Sequence, residues 1–283
     1  MNALMRLELN KALRNRWFVV ALAVSCVLAC ASAVENSVMV CSEWARTDGV
    51  SREWAALSSG GSYGQCLLIS VSAAREAFFL LLPLLATIPY ATSLRTERLD
   101  GVLSQMYVRT SRGRYLTAKG LATFATGFLV AAVPLVLNFV VLSCVLPAYT
   151  PEALDGLQFG LGSHEAFVNL FFGAPFAYLV VNVMIDGFLC GAWALLLLAV
   201  SALVDNRVLL LAGSHIFLLL TQYLNDVVFL AAGVNGFRFN LFALLEGAAL
   251  AEVRSTPVLL LLLVLTLALA VGLLRACRDS DVL

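Results

Sequence analysis

Chemistry has few places to reside in this 283-residue chain, which holds two histidines and, among its 18 basic residues, only the lysines Lys11 and Lys119. His164 and His215 stand far apart and belong to different kinds of segment, one hydrophilic and one apolar. No HExxH, CxxC or GxSxG spacing occurs, so the side-chain sets that hold zinc, cycle a dithiol or raise a serine nucleophile are missing. Lys11 follows Asn10 and Lys119 follows Ala118, so the Gly-Lys-Ser/Thr turn that cradles nucleotide phosphates is missing as well. No metal, catalytic or nucleotide site is expected on this chain. Asp186 is the sharper case, because it lies in the apolar stretch NVMIDGFLCGAWALL with Asn182 one helical turn before it. A carboxylate in such surroundings must face protein or water, find a partner, or carry a proton. Asn182 and Asp186 therefore either line a substrate path or join a neighbouring helix by hydrogen bonds. His215 reads as a proton-relay member or as a packing group. Gly187 and Gly191 beside Asp186 form a GxxxG pattern that permits close helix approach. Cys41 and Cys66 share one hydrophilic stretch and are candidates for a disulfide if that stretch meets an oxidising compartment. Cys26, Cys30, Cys144, Cys190 and Cys277 have no ligand spacing and read as small apolar fillers.

The elements that position these residues must be membrane helices. Hydrophobic residues make up 61% of the chain and charged residues 13%, with mean hydropathy +0.92. Ordinary soluble domains carry about 25% charged residues. A hydrocarbon core is crossed by about 20 mostly apolar residues. Six runs satisfy this, at 17–34, 77–94, 121–146, 173–204, 208–230 and 257–274. The fourth is long enough to require tilt or an interfacial extension, and His215, Gln222, Asn225 and Asp226 interrupt the fifth. The fold expected is all-α, a single transmembrane unit over 1–283 with about six spans. With the N-terminus inside, thirteen basic residues lie on the inner side and five (Arg46, Arg52, Arg75, Arg238 and Arg254) on the outer side. Positive-inside bias thus favours both termini in the cytosol. Ala31-Ser32-Ala33 after a basic start and an apolar run also resembles a signal-peptide cleavage site. The long basic region and Glu8 favour a retained first helix. No basic stripe with interleaved aromatics is present, so nucleic-acid binding has no support.

Residues 2–16 read as an amphipathic interfacial helix, with Leu4, Leu7, Leu9, Ala12 and Leu13 opposite Arg6, Lys11, Arg14 and Arg16. Residues 35–76 form the largest hydrophilic segment and are expected outside the membrane on the extracytoplasmic side. Residues 231–256 contain a helical stretch too short to span, read as an outer insert. The inner segment 93–119, SLRTERLDGVLSQMYVRTSRGRYLTAK, carries six basic residues with Glu97 and Asp100, and Asp100-Gly101 marks a break. Leu94, Leu99, Val102, Leu103 and Met106 recur at helical spacing. Such an amphipathic loop helix rests on the membrane or docks on a partner.

The order Glu97, Gly101, Leu103, Arg109, Ser111, Arg112, Tyr115 and Lys119 resembles the first cytosolic loop of ABC-2 type transporter permeases. The basic amphipathic N-terminus is similar to that family's elbow helix, and the span count and the short helical insert match its layout. The chain departs from the family in having no proline near Arg109–Ser111. The resemblance implies that Glu97, Arg98, Gly101, Leu103, Arg109, Arg112 and Tyr115 belong to a coupling helix and its flanks. That helix would dock on a separate ATP-binding subunit, which would hold the ATP and magnesium. It further implies a second permease chain, identical or different, and a bacterial cytoplasmic membrane. Two other classes stay open on the residues alone: a proton-coupled secondary transporter using Asp186 and His215, and a membrane sensor or immunity protein that binds a ligand through 35–76.

Overall fold

The computed structural model describes residues 2–46, 61–70, 72–148, 150–151, 167–202, 204, 206–224, 227 and 241–245, with single helical positions at 264, 268 and 272. All regular structure among them is helical. The helices are α1 (Asn2–Leu13), α2 (Arg16–Arg46), α3 (Ala73–Thr87), α4 (Ser93–Leu99), α5 (Val102–Arg109), α6 (Arg112–Ser143), α7 (Val168–Gly173), α8 (Pro175–Val200), α9 (Arg207–Leu224) and α10 (Leu241–Leu245). Four of them are long and apolar enough to cross a membrane: α2, within Arg16–Ser42, then α6, α8 and α9. The chain is thus an α-helical, membrane-type protein.

Local chemistry sets the helix ends. Asn15 caps α2 by accepting from Trp17 N at 3.1 Å, and its amide reaches Pro89 O at 2.7 Å. Ser72 Oγ accepts from Arg75 N at 3.2 Å at the start of α3, and the Glu35 carboxylate accepts from Ala73 N and Ala74 N at 3.4 and 3.3 Å. An anion at a helix N-terminus satisfies donors that have no partner within the helix. At the other end, α3 stops at Thr87, two residues before Pro89. Ile88 keeps helical φ and ψ and still donates to Leu84 O at 3.2 Å, but Pro89 has no N–H with which to continue the ladder, which favours a stop here. The second apolar run is therefore a 15-residue helix followed by turns. At 1.5 Å per residue it is about 22 Å long, short of the roughly 30 Å core. The fourth run breaks at Ala174: Pro175 takes the first turn of α8, where a missing N–H costs nothing, and α7 precedes it.

Packing runs chiefly between α6 and α8 and between α2 and α6, with α3 in the same bundle. The main core brings together Phe78, Phe79 and Leu82 of α3, Leu135 and Leu142 of α6, and Tyr178 and Leu189 of α8. The GxxxG pattern lies at the closest approach. A Cβ on Gly191 would meet Phe124 O at 2.9 Å, and one on Gly127 would meet Cys190 O at 2.9 Å.

Part of the expected outer loop 35–76 is not a loop. Residues 35–46 continue α2, and residues 61–70 thread irregularly into the bundle, most of them buried. Irregular backbone is tolerated at such depth only when protein groups satisfy it. Asn36 Nδ2 donates to Gln65 O at 2.9 Å and to Ser70 Oγ at 2.7 Å. Asn138 accepts from Leu67 N at 3.0 Å and donates to Ala29 O at 2.8 Å, while Arg75 Nε donates to Leu67 O at 2.8 Å. His164, Asn225, Asp226, most of 231–256 and most of 257–274 lie outside the described residues.

Candidate functional site

Among the described residues, Glu97 is the centre of the most elaborate side-chain arrangement. Its helix, α4, is just under two turns long and would not persist alone. It is held by partners from three directions. Lys11 of α1 donates to Oε1 of Glu97, while Tyr115 and Lys119 of α6, one turn apart, both donate to Oε2. Lys119, with a side chain 0% exposed, also donates to Tyr115 Oη at 3.1 Å and stands 4.0 Å from Glu8 Oε2. Glu8 of α1 is itself buried and accepts from Tyr90 Oη at 2.6 Å. The Lys119 ammonium lies 5.4 Å from the Tyr90 ring and 5.2 Å from the Tyr115 ring. Two carboxylates and two ammoniums thus balance in charge, with aromatic faces around the deeper cation.

Burial pushes the Glu97 carboxyl toward a higher pKa, yet the Lys119 charge and the hydrogen bonds from Lys11, Lys119 and Tyr115 outweigh it. The carboxyl is held below its ordinary value. With both oxygens occupied, Glu97 is arranged as a clamp between α1, α4 and α6. Such buried pairs contribute little net stability when intact and cost several kcal/mol when one partner is lost, about 3–5.

The clamp carries a corner. Arg98 Nη1 donates to Ala202 O at 2.8 Å, tying α4 to the end of α8. Gly101 has φ +69°, a left-handed conformation that a residue with a Cβ adopts at a cost, and it turns the chain into α5. Leu94 and Leu103 are buried with Tyr115, Leu116, Leu195 and Leu198. The Arg112 guanidinium sits 5.0 Å from the Tyr107 ring. The opposite side of the corner is open, with Leu99 62% and Val108 87% exposed and Arg109 exposed beside them.

Glu97, Arg98, Gly101, Leu103, Arg112 and Tyr115 are brought together on one corner, and Arg109 stands on its open face. Leu99 and Val102, expected on the apolar side with Leu94, are exposed instead: Leu99 stands five residues after Leu94 on α4, on another face of the helix, and the break at Gly101 resets the helical phase for Val102. Tyr115 and Lys119 lie on the long helix α6, which begins at Arg112. The N-terminal helix differs from expectation more sharply. Its inward face is Glu8 with Ala12, and Leu7 points out. Glu8, Lys11 and Tyr90 belong to the site without having been singled out for it. The available signal was the one acidic residue in an otherwise basic N-terminal segment.

Asn182 and Asp186 share a face of α8 and are buried, Asp186 at 2% exposure. Asn182 Nδ2 returns to Tyr178 O at 2.9 Å, whereas Asp186 Oδ2 has no hydrogen-bond partner. Arg75 is the cation whose charge reaches Asp186. Cys41 and Cys66 are both free thiols. Cys66 is buried, its Sγ donates to Tyr63 O at 3.1 Å, and burial pushes its thiol up to about 11. No cluster of metal-ligating side chains occurs among the described residues. No family model, curated protein or solved structure matches this chain.

Proposed function

We propose that this chain is the membrane-spanning subunit of an ATP-driven ABC-2 type exporter, with six spans, both termini in the cytosol of a bacterial cell, and a partner subunit that hydrolyses ATP. The observation that supports this best is the α4–α5 corner: one side is clamped into the bundle through Glu97, and the other presents Leu99, Val108 and Arg109 to solvent. A surface that transmits force needs both properties, an open apolar-and-basic face for the partner and a stiff attachment to the helices that move. Tyr115 and Lys119 lie on α6 itself, so displacement of the corner is delivered directly to a long apolar helix packed on α2 and α8. In this reading, two permease chains enclose the path, and ATP binding on the partner subunits alternates its opening. Neither ATP nor magnesium is bound by this chain.

The test is co-purification in mild detergent with candidate ATP-binding subunits of the same genome, followed by ATPase assay in lipid. Val108→Asp and Arg109→Glu change only the open face and are expected to abolish complex formation while the chain stays folded. Recovery of no ATPase with folded wild-type chain, or full binding by both variants, overturns the reading.

One observation favours a second reading. Asp186 Oδ2 and His215 Nδ1 are buried polar atoms without hydrogen-bond partners, an arrangement suited to a proton-coupled secondary transporter. That protein would transport without any ATPase and lose activity in Asp186→Asn.

A further inference from the structure

A second site lies away from the clamp, at the end of the bundle where α3 begins. There a cavity of about 580 Å³ is walled by the first turns of α3, by Gln222 of α9 and by Phe242 of α10. This size falls within the roughly 300–1,000 Å³ of small-molecule sites. Its chemistry is graded. Arg75 supplies a buried guanidinium, fixed by its Nε–H bond to Leu67 O at 2.8 Å and by the Phe79 ring at 5.1 Å. Glu76, the next residue, is exposed, so both charges border the cavity, one from the buried side and one from the open side. The two alanines of the lining, Ala73 and Ala77, leave the floor open. Leu80, one turn beyond Glu76 on the same face, is 41% exposed. The His215 ring, 5.9 Å from Phe242 and edge-on to it, packs on the aromatic wall.

A buried cation, an adjacent exposed anion and an apolar exit match a molecule that carries both charges at one end and a hydrocarbon chain at the other. A free anion would be repelled by Glu76, and a neutral apolar molecule would leave Arg75 and Glu76 facing it without benefit. The α3 N–H groups do not serve as the anion site, since Glu35 already caps them. We propose that this cavity binds the headgroup of a zwitterionic amphiphile, a phospholipid with phosphate and ammonium. The phosphate lies against Arg75, the ammonium against Glu76, and the acyl chain leaves past Leu80. The site stands apart from the ATP-driven reading, and its assay needs no ATPase.

The full chain, purified in detergent, is loaded with phosphatidylethanolamine or with phosphatidylglycerol of the same acyl chains, and retained lipid is counted by native mass spectrometry. Wild type is expected to retain the ethanolamine lipid preferentially. Glu76→Gln, at an exposed position, is expected to reduce that preference about five-fold, as suits a rim ion pair. Leu80→Trp fills the exit and is expected to remove the bound lipid. Phosphoethanolamine without acyl chains, added at the same concentration, is expected to leave the lipid in place. Equal retention of the two lipids by wild type, retention unchanged in Leu80→Trp, or displacement by phosphoethanolamine overturns the proposal.

Discussion

Three donors converge on one carboxylate at Glu97, and this makes its protonation a structural event. Because its folded-state pKa lies below the ordinary 4.5, the clamp stabilises the fold fully above about pH 4.5. That contribution fades as pH falls further, through the lowered folded value. Thermal unfolding of wild type and Glu97→Gln, compared from pH 7 to pH 3 in one detergent, is expected to show a gap at neutral pH that closes at the acid end. A gap independent of pH would contradict the clamp. Lys119 gives the stronger effect. Lys119→Met leaves Glu8 and Glu97 without their buried cation and is expected to cost about 3–5 kcal/mol. Adding Glu8→Gln and Glu97→Gln to it is expected to recover part of that loss, measured by denaturant unfolding of all three proteins. Glu97, Tyr115 and Lys119 were legible in the sequence because they fall in one motif-bearing stretch. Glu8 and Lys11 were not, since charges on an amphipathic helix ordinarily read as a solvated face. Only the docking of α1 on α6 turns Glu8 inward.

Along each helix, the apolar runs were visible from composition, while their ends follow from caps and breaks that composition does not encode. Glu35 shortens nothing in the sequence yet closes the start of α3, and Pro89 helps to stop it early. The GxxxG pattern in α8 was legible only as a possibility, because its partner Gly127 lies on another helix. Its energetics are specific. At Gly127 and Gly191 an added Cβ meets backbone carbonyl oxygen, whereas at Gly187 it meets the ring of Phe128, the end of a rotatable side chain. Gly127→Ala and Gly191→Ala are therefore expected to destabilise by about 1–3 kcal/mol and Gly187→Ala by less, read from unfolding in mixed micelles. Residues 61–70 were misleading for a related reason. Their Ser, Gly and Gln content reads as a surface loop, whereas the segment's own turns and the side chains of Asn36, Asn138 and Arg75 satisfy its buried backbone.

As a whole, the molecule exposes apolar surface where lipid belongs: α9 is buried along only a small part of its length, and α2 presents a row of valines. Membrane character was therefore legible from hydropathy alone. The orientation rests on the distribution of Arg and Lys, and it makes a measurable claim. In intact cells, a membrane-impermeant maleimide is expected to label exposed Cys41 and to spare a single cysteine placed at Val108, with the other native cysteines replaced. The reverse pattern would invert the topology. Asn138 has one more consequence, for biogenesis. It joins Ala29 on α2 to Leu67 in the irregular segment, yet it emerges from the ribosome after both. Until the helix bearing Asn138 is inserted, the Leu67 amide lacks its native acceptor. The connection between the first two bundle helices is until then held from Asn36 and Arg75 alone, without this latch. Assembly has an order written into one amide: the later helix latches the earlier pair, and a nascent chain truncated before Asn138 leaves the Leu67 amide without its native acceptor.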